Sequence, residues 1–189
     1  MVINTNWYII TGAPCAGKTK VIEYLASLGY VTVPEAARTL IDAEIKQGKT
    51  IQEVRSSEAE FQKRVFRMKI EVENKLPPEQ IVFIDGGAIP SSIAYYQIAG
   101  LNPTPAIKEA EKRKYKGVFF LERLPHENDY ARVEDEKATL KLDRLLSEAY
   151  RDLGYEVIRV PIKPVEERVK FILSKLDFVI NASFNRKSH

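Results

Sequence analysis

Gly12-Ala13-Pro14-Cys15-Ala16-Gly17-Lys18-Thr19 follows the apolar run Trp7–Thr11 and precedes a helical pattern that ends near Leu28. The stretch satisfies G-x-x-x-x-G-K-[ST], and strand, loop and helix come in the order that motif requires. Gly12 and Gly17 let the backbone turn tightly, so that successive N–H groups point inward at phosphate oxygens, and the following helix adds its positive end. Lys18 would reach the β- and γ-phosphates of ATP or GTP, and the Thr19 hydroxyl would ligate Mg²⁺. The expected nucleotide-binding set is Gly12, Ala13, Pro14, Cys15, Ala16, Gly17, Lys18, Thr19 and Lys20. Cys15 reads as a small loop residue rather than a nucleophile, because no histidine stands beside it in sequence.

Outward from this loop, five short apolar runs read as strands: Trp7–Thr11, Tyr30–Val33, Ile81–Asp85, Val118–Glu122 and Tyr155–Val160. Helical patterns fill the gaps. Leu28-Gly29-Tyr30 and Leu153-Gly154-Tyr155 share one grammar, in which a helix stops at a glycine able to adopt positive φ before a strand begins. Between Gln52 and Leu76, the residues Val54, Phe61, Val65, Met68, Val72 and Leu76 recur at helical steps, which predicts one apolar face with Arg, Lys and Glu on the other. Strands alternating with helices call for an α/β fold: a mostly parallel sheet covered on both faces, in three layers. Ligands of such sheets sit beyond the carboxyl ends of the strands, so the residues after Thr11, Val33, Asp85 and Glu122 are expected to converge.

With 189 residues the chain reads as one domain, residues 1–189. Its longest apolar stretches are strand-sized, short of the roughly 20 residues that span a bilayer, and the first residues lack the basic start and long apolar run of a signal peptide. A cytoplasmic protein without membrane association is the expectation. One cysteine and two histidines cannot assemble the usual closed zinc site, and the formal charge of +3 gives no reason to expect nucleic acid as a partner.

The third strand ends in Asp85, a position from which a carboxylate holds Mg²⁺ through its water shell in phosphoryl-transfer proteins; a turn-forming Asp ahead of Gly86-Gly87 is the plainer alternative. Motor-type ATPases follow this Asp with a water-activating Glu, which Gly86 replaces here. The guanine code N-K-x-D of regulatory GTPases is also missing, since the only Asn-Lys pair continues Asn74-Lys75-Leu76-Pro77. Transfer to an acceptor hydroxyl or phosphate remains, a reaction catalysed mostly by positioning and electrostatics.

At the end of the second strand, Pro34-Glu35-Ala36-Ala37-Arg38 opens a helix. Glu35 is placed either to take a proton from an acceptor hydroxyl, with Arg38 gripping substrate charge one turn on, or simply to pair with Arg38 on the surface. After the fourth strand, residues 123 to 133 are polar and irregular and read as a lid, in which Arg123 and Arg132 would close over the transferred phosphoryl group. His126 in that stretch reads as an exposed loop residue. The long insertion, about 86 to 116, is where an acceptor pocket would be built, with Tyr95 and Tyr96 either contacting substrate or packing in the core. Pro161-Ile162-Lys163-Pro164 is a candidate for the nucleobase edge.

Taken together, residues 12–19, Pro34-Glu35-Ala36-Ala37-Arg38, Phe83-Ile84-Asp85-Gly86-Gly87, Ala94-Tyr95, the Asp129-to-Arg132 segment and Glu166-Glu167-Arg168 resemble the P-loop kinase-like predicted ATPases related to the nicotinamide riboside kinase domain and to nucleoside and nucleotide kinases. The resemblance implies a P-loop fold with a five-stranded parallel sheet of order 2-3-1-4-5, ATP with Mg²⁺ as donor, and a small-molecule acceptor, with nucleosides and nucleotides among the candidates. One departure stands out. Relatives often carry Arg directly after the third-strand Asp, where this chain has Gly86. The alternative to a small-molecule kinase is a nucleotide-binding switch or slow NTPase acting on a protein or RNA partner.

Overall fold

The computed structural model describes residues 2–123 and 136–185. Its centre is a five-stranded, all-parallel sheet of β2 (Trp7–Thr11), β3 (Val31–Val33), β4 (Val82–Asp85), β6 (Gly117–Leu121) and β7 (Val157–Val160), in the order β3-β4-β2-β6-β7. Numbered among themselves these strands run 2-3-1-4-5, the order implied by the resemblance. Two further short strands, β1 (Ile3–Asn4) and β5 (Arg113–Lys114), pair separately as a parallel ribbon that the sequence reading does not anticipate.

Alternation along β2 shows why three layers form. Tyr8 and Ile10 point to one face, where they meet Val21, Ile22 and Leu25 of α1 (Lys18–Ser27) and Val169, Ile172 and Leu176 of α8 (Val165–Asn185). Trp7 and Ile9 point to the other, toward Tyr150 of α7 (Glu136–Asp152). A strand buried on both sides must be apolar throughout, and β2, β4 and β6 are buried from end to end except at half-buried Gly117. The glycines that end α1 and α7 have φ of 91° and 78°, as the repeated Leu-Gly-Tyr grammar requires.

The segment read as one amphipathic helix is two. Thr50 starts α3 (Ile51–Val54) with a reciprocal capping box to Glu53, and Ser57 then caps α4 (Glu58–Glu73). The buried face is also wider than the apolar repeat indicates, because Gln62, Lys69 and Glu73 are buried beside Phe61, Val65 and Phe66, while Met68 and Val72 are only half-buried. The expectation that the charged residues all face outward is therefore corrected: Glu73 is held inside by hydrogen bonds from Tyr115 Oη (2.7 Å), the Ile89 N–H (2.9 Å) and Arg113 (3.3 Å). The remaining helices are α2 (Ala36–Ile45), α5 (Ala88–Ile98) and α6 (Thr104–Ala110).

Candidate nucleotide and acceptor site

The loop between β2 and α1 is shaped by backbone conformations that few residues tolerate. Gly12 has φ of 137°, and a Cβ there would stand 2.7 Å from the Leu121 carbonyl oxygen, so only glycine lets the loop lie against β6. Gly17 turns the chain into α1 at φ 82°, and Cys15, exposed, holds φ 64° without the freedom of glycine. Lys18 Nζ donates to the carbonyls of Gly12 and Ala13, each at 3.0 Å, which holds the ammonium across the mouth of the loop. Thr19 and Lys20 are on the first turn of α1, where Thr19 is exposed and Lys20 is exposed too. The loop is also pinned from beneath: Arg168 of α8 is buried and donates Nη1 to the Ala16 carbonyl at 2.6 Å. Its Nε and Nη2 are buried with no hydrogen-bond partner among the described residues, and burial lowers the guanidinium below its ordinary value.

Asp85 ends β4, whose Ile84 and Asp85 lie in register with Ile9 and Ile10 of β2, so its carboxyl comes up beside the loop. It is buried, and Oδ1 accepts no hydrogen bond among the described residues. Burial pushes its pKa up to about 6, with the Glu35 carboxylate adding to the rise and Lys18 opposing it. A buried carboxylate with one oxygen unpartnered among the described residues, beside a phosphate cradle, fits a residue that would help hold a hydrated cation, with the Thr19 hydroxyl as a second donor. No cluster of three or more metal-binding side chains exists among the described residues, so such an ion would be held mainly by ligand and water.

Glu35 is half-buried at the start of α2. Gly86 has φ of 70°, and a Cβ on it would meet Glu35 Cγ at 2.8 Å. The glycine that departs from the related pattern is thus the space through which Glu35 lies beside Asp85. Arg38 is largely exposed and its ion-pair partner is Asp42, 3.9 Å away, rather than Glu35. Glu35, Arg38, Pro14 and Gly86 all border a cavity of about 480 Å³. Its other walls carry apolar residues, including Ile41, Phe61, Val65, Ile98 and Leu142, together with the polar Arg55, Glu58, Gln62, Lys69 and Thr139.

Tyr95 lines this cavity, but Tyr96 does not. Tyr96 is buried on a different face of α5, packed edge-on against Phe66 with ring centroids 5.5 Å apart, which matches the core-packing alternative rather than a contact with the contents of this cavity. Helical geometry accounts for this, since adjacent residues on a helix face different directions. Arg123, half-buried, follows β6 at the carboxyl edge of the sheet. Arg132, His126 and the rest of the expected lid from residue 124 onward lie outside the described residues. Pro161–Pro164 follows β7 at the same edge, with Ile162 exposed.

Lys69 is the site residue that sequence reading missed. It is buried, borders the cavity, and donates Nζ to Ser91 Oγ at 2.5 Å and Ser92 Oγ at 3.4 Å. The available signal was Lys69's spacing of four from Val65, on the buried side of the pattern.

A family model described as an AAA domain matches residues 7–168. Among solved structures, thymidylate kinase from Ehrlichia chaffeensis is similar with a TM-score of 0.62 at 16% identity, covering 92% of this chain and 98% of that one. Thymidylate kinase from Candida albicans gives 0.61 at 16% identity, covering 94% and 93%. Shikimate kinase from Aquifex aeolicus vf5 gives 0.54 at 20% identity, covering 90% and 96%. No curated protein matches the chain. At these identities the structural matches speak to fold: the same parallel sheet and helical layers.

Proposed function

The chain belongs to the family of AAA domains, and we propose that it is a phosphotransferase that moves the γ-phosphoryl group of ATP, or of GTP, to a small acceptor held in the cavity of about 480 Å³. The observation that carries this reading is the adjacency of two sites. Pro14 of the phosphate loop and Gly86 of the Asp85 strand end both border the cavity, so an acceptor bound there abuts the terminal phosphate. That the fold is shared with proteins named thymidylate kinase and shikimate kinase is compatible with it.

In this reading the loop N–H groups and Lys18 bind the β- and γ-phosphates. When bound, Mg²⁺ neutralises charge that builds on the phosphate oxygens, and Asp85 with Thr19 would hold it. Glu35 accepts the proton of the acceptor hydroxyl as the new oxygen–phosphorus bond forms and the bond from γ-phosphorus to the β,γ-bridging oxygen breaks, releasing the nucleoside diphosphate. Arg38 and Tyr95 orient the acceptor. Arg123, with Arg132 by its sequence position, neutralises the transferring group and excludes water.

A screen of metabolites, nucleosides and nucleotides with γ-labelled ATP and GTP tests the proposal. Stoichiometric labelling of one acceptor supports it. Hydrolysis that no acceptor captures, and that a protein or RNA stimulates, would transfer the site to the switch reading.

A further inference from the structure

We propose that Lys69 is the anion-binding residue at the inner end of the acceptor site, so that the acceptor carries a carboxylate or phosphate group there; this deepens the phosphotransferase reading and rests on it. Lys69 rises from α4 between the cavity of about 480 Å³ and a second of about 180 Å³ that reaches Asp85 and Glu73. It is 7% exposed, and what remains accessible faces these cavities.

The partners of the ammonium are neutral. Ser91 Oγ accepts from Nζ at 2.5 Å and Ser92 Oγ at 3.4 Å, while the Tyr95 ring centroid lies 5.8 Å away. Ser91 is itself fixed, since its hydroxyl has the carbonyls of Gly86 and Ala88 at 3.1 Å to donate to, which leaves its lone pairs for the ammonium. Among the described residues no carboxylate comes within the 4.0 Å of an ion pair with Lys69. Glu73, the nearest in charge effect, is occupied by Tyr115, Arg113 and the Ile89 N–H, and Glu35 acts only at longer range.

An ammonium has three donors, and burying one without a counter-charge is costly. Desolvation brings its pKa down to about 8, so it remains mostly protonated at pH 7. A cation held rigidly by two hydroxyls, with an unmatched charge and an adjoining cavity, is complementary to an anionic oxygen entering from that cavity. Because Ser91 bonds the Gly86 carbonyl, the anion would lie near the strand end that carries Asp85, close to the reacting end rather than at the distant mouth. The apolar residues of the walls, Phe61, Val65 and Leu142 among them, suit an uncharged part of the molecule, while Arg38, Arg55, Glu58 and Gln62 give the rest of the cavity polar edges.

Calorimetric titration tests this on the full chain saturated with Mg²⁺ and a non-hydrolysable ATP analogue, which fills the phosphate loop so that added anions report on the second site. Inorganic phosphate is titrated in one arm and acetate in the other. At least one should bind, and Lys69→Met, which keeps the stem and removes the charge, should weaken that binding about 10- to 100-fold with the analogue's affinity unchanged. Preference for phosphate or for acetate assigns the class of the acceptor's anionic group. If Lys69→Met does not fold, the ¹³Cε resonance of Lys69 in the native chain takes its place and should shift as the anion saturates. Absence of binding in both arms, equal affinity in the folded variant, or an unmoved resonance would overturn the proposal. Failure of the phosphotransferase reading is separate, appearing as no analogue binding or no transfer in the acceptor screen.

Discussion

The phosphate loop is shaped within eight consecutive residues and largely by backbone, whereas the neighbouring cavity draws its walls from α2, α4, α5 and α7 and is made of side chains. The first needs particular φ angles, which glycine supplies at fixed spacing. The second needs particular side chains at a point in space, supplied from residues as far apart as Pro14 and Leu142. One end of the site is consequently tolerant in its side chains and strict in its backbone, and the other is the reverse.

The largest expected effect is at Lys18, which with Thr19 supplies the side chains of the loop that are asked to act. Lys18→Ala should abolish phosphoryl transfer while circular dichroism and thermal stability stay native, because among the described residues the lysine's hydrogen bonds go to the loop carbonyls of Gly12 and Ala13. Retained turnover in a folded variant would leave the loop without its assigned role.

Glu35→Gln probes the junction of the two regions. A carboxylate that takes the acceptor proton predicts a fall of about 10²- to 10⁴-fold in transfer with nucleotide affinity unchanged. Reduced nucleotide affinity with normal transfer would instead assign Glu35 to the nucleotide end.

Asp85 stands at the same junction, and its effect is read in stability. Its carboxyl has a pKa raised from 3.8 to about 6, so the folded state holds the proton more tightly than the unfolded state between those values. Stability therefore falls as pH rises through that window. At pH 7 to 8 the buried charge costs about 3 kcal/mol, because each tenfold gain in proton affinity on folding corresponds to about 1.4 kcal/mol. Asp85→Asn should raise the denaturation midpoint of the ligand-free protein at pH 8, with the gain shrinking as pH drops from about 6 toward 4, and should raise the Mg²⁺ concentration required for transfer. Denaturant titrations at several pH values and a Mg²⁺ titration check both.

The smallest effect is at Arg38. Its exposed pairing with Asp42 at 3.9 Å contributes less than about 1 kcal/mol to folding, so Arg38→Ala should leave the melting temperature within a few degrees of native. A rise in the acceptor's KM without a matching loss of stability would identify it as a substrate contact.

Legibility in the sequence follows the same division. The loop, the sheet and its layers were readable because backbone constraints leave local signatures: glycines at fixed intervals, strands apolar on both faces, and turns at Gly29 and Gly154. The placement of Asp85 and Glu35 beside each other was readable because strand ends in a parallel sheet converge. Lys69 and Glu73 were not, since a period of apolar residues marks what prefers burial and is silent on charges whose partners come from Ser91 or Tyr115, more than twenty residues away. The break between α3 and α4 was missed because the apolar steps continue across it, although Thr50 and Ser57 mark both starts. Tyr95 and Tyr96 look alike in sequence and separate only once α5 has a neighbour on each side.

Gly86 carries a consequence for how this site could have diverged. With its Cβ position 2.8 Å from Glu35 Cγ and its φ at 70°, an arginine cannot be added there while Glu35 keeps its place. Positions 35 and 86 are thereby epistatic: each restricts which changes the other can accept, although they are 51 positions apart in the chain. A lineage moving between the glycine and arginine forms must alter Glu35 and residue 86 in concert, and a library randomised at both should recover compatible pairs that neither single library contains.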